Sequence, residues 1–325
     1  MSAQIVRIFL FTVAALVATT APGAAEYPDR VVRIVDPYPP GGSVDVMARL
    51  LAAKLSEVMH GSFIVENRAG AGGNTGAEWV AKSEPDGYTL FFTAPGPLVI
   101  NQTLYRTALG YDPVKDFAPI ALFGVTPLVM MVANDVPAKN VQELIALAKA
   151  KPGTLTFGSA GIGTTPHLAG ELLKSMAGID ITHVPFRGTG PAMNDLIGGH
   201  IQIFCDLLPT SLPQIEAGKV RGIANAGETR PPALKDLPTV AEQGLPGYSV
   251  TSWYGVVAPA KMPEADKARL IAAVKQVLAS PDVIKRMRDL GSEPGTAFGA
   301  DFAAFMQGET KKWSDVIRKS GAHVD

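Results

Sequence analysis

Cysteine is almost absent: among 325 residues only Cys205 carries a thiol. One thiol excludes an internal disulfide and every CxxC redox or zinc cluster. Cys205 ends the apolar run Ile201-Gln202-Ile203-Phe204-Cys205, and no histidine is placed by sequence to activate it, so it reads as a small buried hydrophobe. Net charge is lacking too, at −1, and no Lys/Arg run stands out. A nucleic-acid partner, which needs a basic face, is excluded. No HExxH, P-loop, His/Cys cluster or EF-hand pattern occurs, so neither metal nor cofactor is expected.

Long apolar runs are scarce as well. The one that exists, residues 8–18, follows Arg7 and is shorter than the roughly 20 residues a bilayer span needs. Small residues at Gly23 and Ala25 then suit cleavage before Glu26, which gives the three-part layout of a secretory signal over residues 1–25. An uncleaved anchor is the alternative. The mature chain is expected to be soluble, outside the cytoplasm and not embedded in a membrane.

What is present is a regular alternation. Val31-Val32-Arg33-Ile34-Val35 is strand-like, and the spacing of Val46, Met47, Leu50, Leu51, Leu55 and Val58 predicts a helix from near Ser43. Residues 63–66 and 88–93 read as strands, with a glycine loop at 70–76 leading to a helix over 77–82. The pattern restarts with a strand at 128–133, a helix over 141–150 capped by Asn140, a strand at 155–157 and a helix over 167–176. Strands at 181–185 and 201–205 flank a helix over 192–197. A strand at 252–258 precedes helices over 265–279 and 301–320.

This order predicts an α/β protein with mainly parallel sheets and helices on both faces. Strands near 127–133 and 250–258 lie between two similar halves, which predicts two lobes joined by two crossovers. The expected division is 26–127 for the first part of lobe one, 128–249 for lobe two, and 250–325 for the return to lobe one with the C-terminal helices. A single long sheet is the other arrangement the pattern allows.

Each half offers a strand, a small-residue turn and a helix start. The first reads Pro39-Pro40-Gly41-Gly42-Ser43-Val44-Asp45; the second runs from Gly158 through Ser159, Ala160, Gly163, Thr164 and Thr165 to His167. A helix start leaves four unbonded N–H groups and about half a positive charge, and glycines let an anion come close to both. Loops at the carboxyl ends of parallel strands are where open α/β sheets take ligands. If the halves face each other, both helix starts point into one cleft between lobes and hold a carboxylate without an arginine. Each dipole supplies roughly 0.3–1 kcal/mol, against about 8 kcal/mol for micromolar binding. The dipoles therefore select charge sign, and hydrogen bonds and lobe closure supply affinity.

Enzyme motifs fit poorly. Gly158-Ser159-Ala160-Gly161 lacks the first glycine of a G-x-S-x-G elbow. The run from Gly70 to Gly76 has Thr75 where a dinucleotide fingerprint needs its third glycine. His167 packing locally at a helix start is the bland reading beside a catalytic one. Arg187 with Gly188 next to a helix, and Asp206 after an apolar strand, border the same region. Arg187 reads equally as a second carboxylate anchor or a surface charge, and Asp206 as an acceptor for a ligand donor or a turn cap.

Several segments together resemble a known family. Tyr38-Pro39-Pro40-Gly41-Gly42-Ser43-Val44-Asp45, Glu66-Asn67-Arg68-Ala69-Gly70-Ala71-Gly72-Gly73-Asn74, Pro85-Asp86-Gly87-Tyr88, Val184-Pro185-Phe186-Arg187-Gly188 and Ser252-Trp253-Tyr254-Gly255 are similar, in order, to the Bug family of periplasmic solute receptors. These are the binding subunits of tripartite tricarboxylate transporters. The resemblance covers the mature chain. It implies a two-lobed periplasmic binding protein fold, a periplasmic location, no catalysis, a monomer, and delivery of a small organic carboxylate to membrane permease subunits. It further implies ligand residues Pro40, Gly41, Gly42, Ser43 and Asp45 facing Ser159, Ala160, Gly163, Thr164, Thr165 and His167, with Arg187, Gly188 and Asp206 in support. Two departures stand out: Ala94-Pro95-Gly96-Pro97-Leu98 where the family carries small polar residues, and Leu207 where asparagine is frequent. An exported α/β enzyme using Ser159 or His167, and a ligand-presenting regulator of a sensor protein, are the rival readings.

Overall fold

The computed structural model describes residues 27–105 and 109–324; the segment read as a signal peptide lies outside them. Strand β1 (Val32–Asp36) buries all its side chains except Arg33. The turn after it feeds α1 (Ser43–Val58), whose Met47, Leu51 and Leu55 recur every four residues and are fully buried. Strand β2 (Phe63–Asn67), α2 (Asn74–Ala81) and β3 (Thr89–Thr93) complete a parallel trio with β1 in the middle. A π-turn over Gly96–Ile100 and the short α3 (Asn101–Leu104) lead to β4 (Phe117–Val132).

The second lobe repeats the theme with α4 (Val141–Ala150), β5 (Thr156–Ser159), α5 (Thr165–Ala177), β6 (Thr182–Pro185), α6 (Thr189–Ile197), β7 (Ile203–Leu207), α7 (Leu208–Glu216) and β8 (Arg221–Asn225). Strand β5 runs parallel to both β6 and β7. Strand β9 (Thr251–Pro259) then returns, followed by α8 (Glu264–Ala279), α9 (Pro281–Asp289), β10 (Glu293–Pro294) and α10 (Ala300–Ser320).

The strand order is β2-β1-β3-β9-β4-β7-β5-β6, with β8 and β10 also on β4. The expectation of mainly parallel sheets holds for the outer strands of each lobe and not for the centre. There β9 is antiparallel to β3 and β4, and β4 is antiparallel to β7 and β8. The cause is topological: β4 carries the chain out of the first lobe and β9 carries it back, so the two run opposite ways. Lobes and crossovers thus share one connected strand path rather than separate sheets.

β4 starts well before the expected 128–133. Pro119, Gly124 and Pro127 interrupt its apolar pattern, and its register against β9 shifts between Pro119 and Ala121 and between Leu122 and Gly124. Prolines cannot donate to a ladder, so they sit where pairing slips. Helix α9 was not anticipated; Pro281 is its first residue, where a proline starts a helix instead of ending one.

The C-terminal helix does more than return to the first lobe. Thr103 Oγ1 and Ser314 Oγ lie 2.8 Å apart, and Gln102 Nε2 donates to Thr310 Oγ1 at 3.2 Å, both on the first lobe. Near its far end the Lys319 carbonyl accepts from Ser175 Oγ of α5, in the second lobe, at 3.4 Å. Trp253 of β9 and Trp313 of α10, both buried, donate their indole N–H to one Glu309 oxygen at 3.0 and 3.1 Å. That shared acceptor fastens the helix to the crossover strand.

Candidate functional site

The two small-residue turns end on the same cavity. Its walls are Tyr38, Pro39, Gly42, Ser43, Val44 and Ala94 from the first lobe, and Ala160, Thr164, Thr165, Pro166, Gly188, Thr189, Asp206 and Leu207 from the second. About 30 Å³ of it is open to water, room for one or two molecules. The lobes are closed.

On the first wall, Gly42 is the N-cap of α1 in extended conformation (φ −76°, ψ 168°) and offers no side-chain cap. Ser43 is the first helical residue and does not cap the helix, and its hydroxyl lies 2.9 Å from Thr210 Oγ1 of α7, across the cleft. The leading amides of α1 therefore carry no side-chain cap, and the helix dipole lies behind them. Pro40, Gly41 and Asp45 were expected at the ligand and do not line the cavity. Pro40 and Gly41 are exposed on the outer rim. Asp45 Oδ2 accepts from the Gly41 amide at 3.0 Å, and both its oxygens accept from Arg49. Burial works to raise the Asp45 carboxyl, but the bonds from Arg49, Gly41 and Asn67 outweigh it and hold it below the usual range. It is a loop tie.

On the second wall, Thr164 is the N-cap of α5, and its hydroxyl donates back to the Gly161 carbonyl at 2.7 Å instead of capping the helix. Pro166 has no N–H, so the amides of Thr165 and His167 remain at this end. Ala160, Thr164 and Thr165 face the cavity, whereas Ser159, Gly163 and His167 form the layer behind them. Ser159 Oγ lies 2.7 Å from His183 Nε2 and accepts from the Gly161 amide at 3.2 Å. His167 Nδ1 accepts from the Gly163 amide at 3.3 Å. Phe157, His183 and His167 stack in a row, the two imidazoles 4.3 Å apart. Burial, then the facing histidine, pushes His167 down to about 3. Burial, then Lys174, pushes His183 down to about 4, so both rings are neutral near pH 7.

His167, Glu171 and His183 each place one ligand-type atom within 4.8 Å of the others. Nearly parallel imidazoles point their lone pairs side by side, not at one point, which suits ring packing better than tetrahedral coordination.

Gly188 and Asp206 line the cavity; Arg187 does not. It is exposed and borders an adjoining groove with Tyr38, Pro39, Gly72 and Gly73. Asp206 is fully buried, accepting from Thr210 Oγ1 at 2.7 Å and Thr189 Oγ1 at 3.3 Å. Burial raises its carboxyl to about 6, with the Thr210, Leu207 and Thr189 bonds pulling the other way. Among the described residues, no Lys, Arg or His lines the cavity. Tyr38, Pro39, Val44 and Thr189 also line the cavity; they lie in segments singled out from the sequence but not among the residues expected at the ligand. Tyr38 and Pro39 precede Pro40 and the glycines, and the approach of the second lobe makes them walls. The Tyr38 hydroxyl is buried without a hydrogen-bond partner beside this cavity.

The seam is held by close backbone approach. A Cβ added to Gly72 of the first lobe would collide with the Ile162 carbonyl of the second, and one on Gly163 would collide with Asn101 Oδ1. A larger groove of about 1080 Å³ lies elsewhere on the first lobe, along Arg30, Ile64 and Trp79. Several of its charges are already paired, Arg30 with Asp86 and Lys82 with Glu78.

Solved proteins share this arrangement of elements. A protein of R. palustris solved with adipate is 38% identical, covers 92% of this chain and all of its own, and superposes with a TM-score of 0.90. The periplasmic binding protein BugD is 34% identical over 91% of this chain and 99% of its own, with a TM-score of 0.87. MatC of Rhodopseudomonas palustris, solved with bound malate, is 34% identical over 90% of this chain and all of its own, with a TM-score of 0.85. No helix among the described residues is long and apolar enough to cross a membrane. The family model described as tripartite tricarboxylate transporter family receptor matches residues 47–322, and the chain belongs to that family of solute-binding receptors.

Proposed function

We propose that this chain is an exported, periplasmic receptor that closes on a small organic carboxylate and presents it, unchanged, to the membrane permease subunits of a tripartite tricarboxylate-type transporter. Residues 1–25 direct export. Residues 26–127 and 250–325 form one lobe and 128–249 the other, and the receptor acts as a monomer. The supporting observation is the pair of helix starts, α1 at Gly42-Ser43 and α5 at Thr164-Thr165, aimed into one closed cavity without side-chain caps. Uncapped amides and two dipole ends select an anion. The ligands of the adipate and malate proteins fit that selection.

The Ser159–His183 pair is the feature closest to an enzyme, and it argues for positioning. Its hydroxyl is buried behind the loop and does not line the cavity, so a substrate carbonyl has no approach to it. Incubating the purified protein with a carboxylate panel and following each acid by NMR tests the reading. Stoichiometric binding with every acid recovered intact supports it; turnover of any acid overturns it.

A further inference from the structure

The cavity walls pose a charge problem. A site suited to an anion contains a fully buried carboxyl, Asp206, and, among the described residues that line it, no cation to offset it. The groups that face Asp206 can be followed element by element. Strand β9 presents Tyr254 and Asp206's own strand presents Cys205, both kept protonated by burial. Helices α6 and α7 present the hydroxyls of Thr189 and Thr210. Strand β4 presents Val129, its pairing partner. Helix α1 presents Ser43 through Thr210, while its one nearby acid, Asp45, is turned to Arg49. Among the described residues, none of the groups facing Asp206 carries a positive charge.

Thr210 has a single proton, drawn to Asp206 Oδ2 at 2.7 Å and the Leu207 carbonyl at 3.0 Å, which leaves its oxygen to accept from Ser43 in the 2.9 Å bond. Oδ1 has the long 3.3 Å contact with Thr189, and the Leu207 amide also bonds the carboxyl. Of the two oxygens, Oδ1 has the weaker threonine contact and is the better placed to carry a proton. A second negative charge entering beside it favours the protonated form further, because like charges in a water-poor site cannot both stay ionised.

Resting on the receptor reading above, we propose that the cleft captures its carboxylate together with one proton, which is held on Asp206. The protonated acid then donates to the guest instead of repelling it. Burial raises the Asp206 carboxyl to about 6 in the closed structure, near the working range.

Titration calorimetry with adipate, malate and benzoate as probes tests this in phosphate, HEPES and Tris near pH 7.5, buffers whose ionisation heats differ. The apparent enthalpy is expected to change linearly with buffer ionisation heat, with a slope approaching one proton taken up. The dissociation constant is expected to rise about tenfold per pH unit above neutrality. Asp206→Asn, which keeps the threonine bonds available, is expected to lose most of both dependences, and Asp206→Ser serves the same purpose should the first variant fail to fold. Binding without a buffer-dependent slope in the wild-type protein overturns the proton and leaves the receptor. A slope retained in both variants moves the proton off Asp206 and overturns the assignment. No heat with any probe overturns the receptor reading and this inference together.

Discussion

Ser43 Oγ of the first lobe and Thr210 Oγ1 of the second stand 2.9 Å apart, a direct hydrogen bond across the closed cleft. Through Thr210 it reaches the buried Asp206. Ser43→Ala removes this bond without emptying a core position. A net hydrogen bond is worth about 0.5–1.5 kcal/mol, so affinity for a bound carboxylate is expected to fall roughly 2–12-fold. The unfolding midpoint should move little, because the bond forms between lobes and not within a core. Calorimetry and a thermal melt on the same sample check both halves.

Gly72→Ala tests closure itself. Gly72 has φ 63°, where a side chain costs about 1 kcal/mol, and its new methyl group would strike the Ile162 carbonyl of the other lobe. The lobes are expected to stop short of full contact. Small-angle scattering with saturating ligand should show a larger radius of gyration than wild type, and affinity should fall at least tenfold. A variant as compact as wild type when liganded would remove Gly72 from the seam.

Asp206→Asn should change the pH dependence of folding stability. The carboxyl is raised from 3.8 to about 6 in the folded protein, so the native state binds more protons than the unfolded one between those values. Wild-type stability from this group is therefore greatest at low pH and is lost as pH rises through about 6. At one pKa unit per 1.36 kcal/mol, the uncharged variant gains up to about 3 kcal/mol relative to wild type above pH 7. The advantage should vanish near pH 4, as chemical denaturation across that range would show.

His183→Gln carries the opposite sign. The folded imidazole is pushed from 6.5 down to about 4 by burial. The unfolded state then binds more protons, and stability is lost as pH falls through that window. Glutamine can still bond Ser159 but does not titrate, so the decline between pH 6.5 and 4 should be shallower in the variant. Its ligand affinity at neutral pH should stay within a few-fold of wild type if the ring only positions Ser159. A complete loss of binding would give His183 a larger part.

Much of this arrangement was readable in the chain. Val32, Ile34 and Val35, then Gly41-Gly42, then Met47, Leu51 and Leu55 spell strand, turn and helix by period alone. Gly42, Ser43, Ala160, Thr164, Thr165, Gly188 and Asp206 were picked out from helix-start chemistry and resemblance, and all seven line one cavity. Pro40, Gly41, Asp45, Ser159, Gly163, His167 and Arg187 were picked out beside them and stand behind or outside the walls. The difference lies in which way the backbone turns: Asp45 is spent on Arg49, and Ser159 on His183. Tyr38, Thr189 and the first half of β4 escaped because each is defined by a partner far along the chain. Val125, for instance, is a strand residue through Trp253, and no local period encodes that pairing.

Because β4 passes through both halves and β9 lies against it, the lobes are joined by bonded ladder and not by slack loops. Movement between them would be taken up as twist where those two strands pass from one lobe to the other, near Pro127 and Thr251. Such a joint resists and recoils like a leaf spring. Its rest position, rather than the strength of any grip on the guest, then sets how much of the population stands shut before a molecule arrives.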